Sequence, residues 1–333
     1  MTRSETLTKT PTPMWRTLLR RLTASQELAV LIALLVITAF FALAAPFFLS
    51  ELTLRQNLRQ IAMIGVIATG MTFVIAAGEI DISVGSIYNL AATVMALLIA
   101  DFGFDPWVAA LVALIVGALA GAGNGVLAVL LRLPTLIVTL GTVSLYRGLT
   151  ILLSGGLSVG NLPNHDFYSL GTQGIGFVPM IVIIALVIII VAAWVFRRTV
   201  FAREVLAIGS SAQAARRTGV HIARRKIQVM ALNGFMCAVA AVLGMTFLRA
   251  ASPQSGVGFE LLAIAAVVVG GTPLQGGVGT IWGTLIGVTL IVVIQSGLIQ
   301  LGLPAVWQIA ATGAMILSAV AIQQLVRRRA TAS

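Results

Sequence analysis

The chain has 333 residues, 59% of them hydrophobic and 9% charged. A soluble domain needs about 25% charged residues to wet its surface, so a single water-soluble domain and a disordered chain are both excluded. The net charge of +11, from 21 Lys and Arg against 10 Asp and Glu, then reads as the positive-inside bias of a membrane protein rather than a nucleic-acid footprint.

The first 27 residues are polar and basic, with Arg16, Arg20 and Arg21 ahead of an apolar run at about 28–49. That run is longer than the apolar region of a secretory signal. The expectation is an uncleaved first helix behind a cytoplasmic tail, residues 1–27. Further apolar runs follow at about 60–78, 84–100, 106–131, 134–153, 178–196, 227–249, 258–270, 280–299 and 305–325. The run from Ile181 to Phe196, IVIIALVIIIVAAWVF, is continuous, whereas a barrel strand alternates apolar and polar residues. The sequence therefore predicts an all-α membrane protein of ten transmembrane helices, with a transmembrane domain at 28–326 and a cytoplasmic tail at 327–333. Turn chemistry marks the breaks at Asp101–Pro106, Arg132–Pro134, Ser154–Asn161 and Gly302–Pro304.

The basic residues orient the bundle. With the N-terminus inside, about 17 of the 21 fall on the cytoplasmic side: five in the N-terminal tail, Arg132, eight in the loop at about 197–226, and Arg327, Arg328 and Arg329. Arg55, Arg59 and Arg249 fall outside, and Arg147 lies within the fifth helix. Both termini are thus expected in the cytoplasm. Leu131-Arg132-Leu133-Pro134 and Leu301-Gly302-Leu303-Pro304 each join two helices, and Gly78-Glu79 and Gly258-Phe259-Glu260 each follow a helix. Both pairs are offset by five helices, as in an inverted-topology repeat with its path at the repeat interface.

A charged side chain costs about 2.5–3.5 kcal/mol at the bilayer centre on insertion scales, so Glu79, Asp81, Arg147 and Glu260 are the first residues to examine. Asp81 or Ser83 is placed either to cap the helix that starts there or to line a solute path. Glu79 and Asp81 together also offer a weak carboxylate pair for proton relay. Arg147 is placed to pair with an acid, meet a solute hydroxyl or snorkel to headgroups. Glu260 suits a salt bridge within the bundle. Asn124, among Gly121, Gly123 and Gly125, suits an interhelical hydrogen bond, and Thr139 and Thr142 suit bonds to their own helix. Asp81, Ser83, Asn124, Thr139, Thr142, Arg147 and Glu260 are the candidate lining of a path. The stretch Gly270–Gly279 has five glycines but no lysine of the G-x-x-x-x-G-K-[ST] pattern, and reads as a tight inter-helix turn, not a phosphate loop. No metal site is expected from Cys237, His165 and His221, which lie far apart, and no enzyme from the absence of a His/Ser/Asp or His/Cys grouping. In the 197–226 loop, Ser210 or Ser211 is placed to cap a short helix that Gly219 ends.

Taken together, these segments resemble the permease subunits of bacterial ABC importers for monosaccharides, the ribose-type permeases. The resemblance runs from about Phe47 to Gln324. It is carried by Gly78–Ser86 (GEIDISVGS), Asn124-Gly125, Pro134–Gly148 (PTLIVTLGTVSLYRG), Ala207-Ile208-Gly209 with Ala214-Ala215-Arg216 and Gly219, and Gly258–Thr272. It implies the importer permease fold, a second permease subunit, a separate ABC ATPase that binds ATP and Mg, and a periplasmic sugar-binding protein. No cofactor is implied for this chain. Gln213-Ala214-Ala215-x-x-x-Gly219 is similar to the family's E-A-A-x-x-x-G coupling helix, with glutamine in place of glutamate. Gly209, Gln213, Ala214, Ala215, Arg216 and Gly219 are the residues so implied in ATPase coupling. An ion-coupled secondary transporter, a branched-chain amino-acid ABC permease and a channel are the competing readings. The sugar and the identity of the second permease are open at this point.

Overall fold

The computed structural model describes residues 26–304 and 306–331. All but the last two residues of the basic tail expected at 1–27 lie outside them. The chain forms thirteen α-helices in the described part: α1 (Gln26–Ala44), α2 (Glu51–Ala76), α3 (Val84–Ala100), α4 (Pro106–Leu130), α5 (Thr135–Ser154), α6 (Ser169–Thr172), α7 (Met180–Arg198), α8 (Val200–Ser210), α9 (Ala212–Arg217), α10 (Ile222–Leu248), α11 (Phe259–Val269), α12 (Ile281–Gln300) and α13 (Val306–Thr331). A two-stranded hairpin, Gly174–Ile175 with Val178–Pro179, precedes α7.

Among the described residues seven helices are long and apolar enough to cross a bilayer: α1, α2, α4, α5, α7, α10 and α12. Three of the ten expected spans are shorter as apolar helices: α3, α11 and the apolar part of α13, Val306–Ala319. At 1.5 Å per residue α11 covers about 16 Å, roughly half of a 30 Å hydrocarbon core. The boundaries also moved. α2 starts at Glu51 instead of about 60, because Ser50 accepts a hydrogen bond from the Thr53 N–H and caps it. Its first turns carry Arg55 and Arg59, whose polarity hid the helix. α10 starts at Ile222 instead of 227, for the same reason at Arg224, Arg225 and Lys226. α13 continues to Thr331, through most of the expected 327–333 tail.

The core lies where α2, α3, α4, α10, α11 and α12 pack together, with Ile67, Met71, Phe73, Met95, Met230 and Val267 fully or almost fully buried. α4 and α10 cross at backbone contact. A Cβ at Gly121 would meet the Met230 carbonyl oxygen and lie 3.0 Å from Gly234 Cα, and one at Gly117 would run into Ala238. Small residues let these two helices approach closely, which is how apolar helices gain van der Waals energy where lipid offers no hydrophobic drive. Polar strings add to this: Thr72 Oγ1 and Thr284 Oγ1 lie 2.9 Å apart between α2 and α12, and Gln60 donates to Gln295, which donates to Thr312. By contrast α1, α4, α5 and α7 turn large apolar side chains outward, among them Leu43, Leu119, Leu152 and Trp194. A water-soluble protein does not expose so many contiguous apolar residues, and the molecule is an integral membrane protein.

One end of the bundle carries α8, α9 and the start of α10, with Arg197, Arg198, Arg203, Arg216, Arg217, Arg224, Arg225 and Lys226. This is the basic end of the molecule. The opposite end holds Arg59, which donates to the Gly171 carbonyl, and Arg249, which donates to Leu162 and Asn164 and stacks on Tyr168 at 4.6 Å.

Candidate functional site

α2 and α3 are separated by a non-helical segment, Ala77–Ser83. Gly78, at φ +76°, turns the chain out of α2 in a conformation that side chains disfavour. Asp81 then folds back: its Oδ1 accepts from the Ser83 N–H at 2.8 Å and from the Ser83 hydroxyl at 2.5 Å. So Asp81, not Ser83, satisfies the backbone at the start of α3, by a local side-chain turn. Ser83 makes no capping bond of its own.

The rest of the network is long-range. Asn233 on α10 donates to Asp81 Oδ2 at 2.9 Å. Asn124 on α4 donates to Ser83 Oγ at 2.8 Å, and Tyr146 on α5 reaches Asn124 Oδ1 and the Ala120 carbonyl, both at 2.9 Å. Thr139 accepts from the Ile82 N–H at 3.4 Å. A single polar cluster therefore joins the α2–α3 break to α4, α5 and α10. Asp81, Ser83, Asn124, Thr139 and Asn233 are all 0% exposed. The Asp81 carboxylate has three donors, which is what a buried acid requires. Thr139 and Thr142 also bond their own helix, at Leu136 and Thr139.

Four of the seven candidate path residues, Asp81, Ser83, Asn124 and Thr139, thus come together, but as a closed network with no exposed surface instead of an open lining, while Thr142, also buried, bonds only its own helix. Arg147 and Glu260 do not join it. Both are half-buried, and among the described residues neither makes an ion pair or a side-chain hydrogen bond. The salt bridge expected of Glu260 is therefore not formed. Glu260 instead lies against the first turn of α3: a Cβ at Gly85 would sit 2.7 Å from its Oε2 and would collide with the Gly256 carbonyl. The start of α3 and the approach to α11 meet there at backbone contact.

Glu79 has other partners from Asp81. Its Oε1 lies 2.6 Å from Lys226 Nζ and its Oε2 accepts from the Thr135 hydroxyl at 2.5 Å. This ion pair is why the two carboxylates do not form a proton-sharing pair. It ties the break to the first turns of α5 and α10, and Arg225 beside it pairs with Glu204 on α8. The Arg225 hydrogen bond holds the Glu204 carboxyl below its usual 4.5, and the charges of Arg225, His221 and Arg224 act in the same direction against partial burial. Asn233, Tyr146 and Lys226 are the partners that sequence reasoning missed. Asn233 stood in plain view as a polar residue in an apolar run, the same signal that singled out Asn124. Lys226 is one of only two lysines in the chain.

At the basic end two short helices stand where one was expected. Thr199 caps α8 and Ser211 caps α9, through the Ala214 N–H at 3.3 Å. Gly219, at φ +87°, ends the α9 turn with its N–H bonded to the Arg216 carbonyl. Gln213, Ala214, Arg216 and Gly219 are exposed and Ala215 is buried at 3%. Gly209 is apart from them, wedged against Ala76 and Gly277. The stretch Gly270–Gly279 is less a tight turn than an extended connector from α11 to α12, laid against α2 and α8: the Gly277 N–H donates to the Ala76 carbonyl at 3.0 Å.

The chain matches, over residues 53–320, the family described as branched-chain amino acid transport system / permease component. It is 37% identical over 301 residues to the ribose import permease protein RbsC of Bacillus subtilis, covering 90% of this chain and 93% of that protein. It is 36% identical over 293 residues to the autoinducer 2 import system permease proteins LsrC of Yersinia pseudotuberculosis and Yersinia pestis, covering 88% of this chain and 83% of each.

Proposed function

Because the chain belongs to this permease family, on the branch of the sugar ABC importer permeases, we propose that it is the membrane-spanning subunit of an ATP-driven importer for a monosaccharide or a related small polyol. Its relatives named for ribose and autoinducer 2 import support that class of cargo. In this reading the solute arrives from a periplasmic binding protein and crosses the inner membrane between this chain and a second permease, the same or homologous. Two ATPase subunits, holding ATP and Mg, grip α9 at the basic end, which is cytoplasmic. Their closure rocks the permeases so that the path opens to each side in turn.

The observation that carries the reading is α9 itself. It is a capped helix of six residues that leaves Gln213, Ala214 and Arg216 exposed beside a buried Ala215. A loop serving only to carry positive charge needs no such helix. Transport is then a matter of weak polar contacts, since a solute that must leave cannot be held tightly. The Asp81 cluster is a fully buried polar feature that joins the α2–α3 break to α4, α5 and α10. In this reading its closed form is one state of the cycle, and Arg147 and Glu260, which lack partners among the described residues, are the polar groups that a solute would meet. The inverted repeat remains part of the proposal. One observation supports it: α3 and α11, five spans apart, both start after a non-helical segment.

The test is uptake in proteoliposomes with the cognate ATPase and binding protein. Labelled pentoses and hexoses should enter only with ATP, and replacing Ala215 or Gly219 by a bulky residue should abolish uptake while the chain still inserts. Uptake driven by an ion gradient after ATP depletion would instead establish a secondary transporter, and uptake of leucine but no sugar would establish an amino-acid permease.

A further inference from the structure

Three backbone segments meet at one point between α9 and the Asp81 cluster. The first is the end of α2 and its turn, Ala76 to Gly78. The second is the end of α8, Gly209 and Ser210. The third is the α11–α12 connector at Gly276 and Gly277. At Gly209, Gly276 and Gly277 there is no room for an added side chain at the contact. A Cβ at Gly209 would strike the Ala76 carbonyl oxygen and lie 2.5 Å from the Gly277 nitrogen. A Cβ at Gly276 would lie 2.6 Å from the Gly78 nitrogen and 2.8 Å from its Cα, and one at Gly277 would lie 2.6 Å from Ser210 Oγ. Hydrogen bonds cross the same junction: Gly277 N–H to the Ala76 carbonyl at 3.0 Å, and the Ser210 hydroxyl to the Gly277 carbonyl at 3.4 Å.

The position of this junction in the chain gives it a role. Ser211, the next residue after Ser210, is the cap of α9. On the other side, Asp81 lies three residues after Gly78, and Glu79 between them is held by Lys226 and Thr135. Backbone in direct contact has no side chain to bend or rotate, so displacement of one segment is passed to the others instead of being absorbed. We propose that the glycine junction of Gly78, Gly209, Gly276 and Gly277 is the point through which movement of α9 reaches the Asp81 break, making these four glycines positioning residues for transport. This deepens the transport reading above and rests on it. It also accounts for Gly276 and Gly277 within the glycine-rich stretch 270–279, where Gly270 instead packs on Gly283.

The chain carries its own reporter. Cys237, its single cysteine, is 0% exposed and one helical turn from Asn233 on α10, so its reaction with a membrane-permeant maleimide follows opening of the cluster. The assembled transporter is treated with N-ethylmaleimide in Mg-ATP, in a non-hydrolysable ATP analogue and without nucleotide, and modification of Cys237 is followed by peptide mass spectrometry. The wild-type assembly should show a several-fold change in rate with nucleotide. In Gly276→Ala, which wedges the junction, and in Gly277→Asn, a milder wedge at a φ that asparagine tolerates, where the Cβ meets chiefly the Ser210 hydroxyl, the ratio should fall to near one while the ATPase still co-purifies and hydrolyses ATP. A wild-type ratio retained in these variants overturns the proposal. So does ATP-driven uptake by the wild type with no nucleotide effect on Cys237. Should Gly276→Ala fail to assemble, Gly277→Asn decides by the same ratio. A wild-type chain that takes up no sugar and binds no ATPase refutes the transport reading itself, a result distinct from either of these.

Discussion

Asp81 is surrounded by donors, and its tolerance of substitution should follow from them. In Asp81→Leu the Ser83 N–H, the Ser83 hydroxyl and Asn233 Nδ2 all lose their acceptor, at about 1–3 kcal/mol for each buried group left unpaired. Asp81→Asn keeps Oδ1, and its amide would face Asn233, whose Oδ1 has no hydrogen-bond partner. One rotation of the Asn233 amide then restores the bond. Asp81→Leu is expected to lower the thermal midpoint in detergent by many degrees, and Asp81→Asn by far less. Equal losses would show that geometry around this carboxylate does not matter. Glu204 behaves differently, because its side chain keeps a quarter of its surface exposed and its carboxyl is held below 4.5. A depressed folded value means stability that is fully present above pH 4.5 and lost only as the pH falls through the lower folded value. Glu204→Gln should therefore lose stability at neutral pH and narrow its gap to wild type in acid. Partners such as these are hard to read from sequence. Asn233 is 152 residues from Asp81, and nothing in a single sequence pairs the two.

At the scale of the element, sequence read well wherever apolarity alone decides. Continuous runs such as Ile181–Phe196 fell inside α7. It read less well where a helix leaves the apolar layer, as at Arg55 and Arg59 in α2 or Arg224 to Lys226 in α10, because a charged turn of helix has the composition of a loop. The glycines separate two kinds of helix surface that composition cannot. Gly121 faces the backbone of α10, whereas a Cβ at Gly141 on α5 meets nothing within 4 Å. Gly121→Leu is expected to destroy the α4–α10 crossing, costing more than the 1–3 kcal/mol usual for overpacking, with loss of the monodisperse peak in size-exclusion chromatography. Gly141→Leu should leave the isolated chain folded. If Gly141→Leu impairs uptake nonetheless, the α5 face is covered in the working assembly.

At the scale of the whole molecule, charge asymmetry is the feature most directly readable from sequence, since it needs only residue counts along the chain. In a chain with Cys237 changed to serine, a cysteine placed at Gln213 should react with a membrane-impermeant maleimide only from the cytoplasmic side, and one at Ile175 in the hairpin only from the periplasmic side. The reverse pattern would invert the proposed orientation. Neither the depth of the helices nor their order of packing is visible in those counts. The shortness of α11 has its own consequence, which concerns biosynthesis. A helix of eleven residues, ten apolar and one the acid Glu260, is too short to be released into lipid by itself. The non-helical Gly270–Thr280 that follows it has backbone groups that lipid cannot satisfy. Its Gly277 N–H finds its acceptor on Ala76, some two hundred residues earlier in the chain. α11 and its connector must therefore wait near the translocation channel until α12 has been made and α2 is in place, so the last quarter of the chain is inserted by folding onto the first.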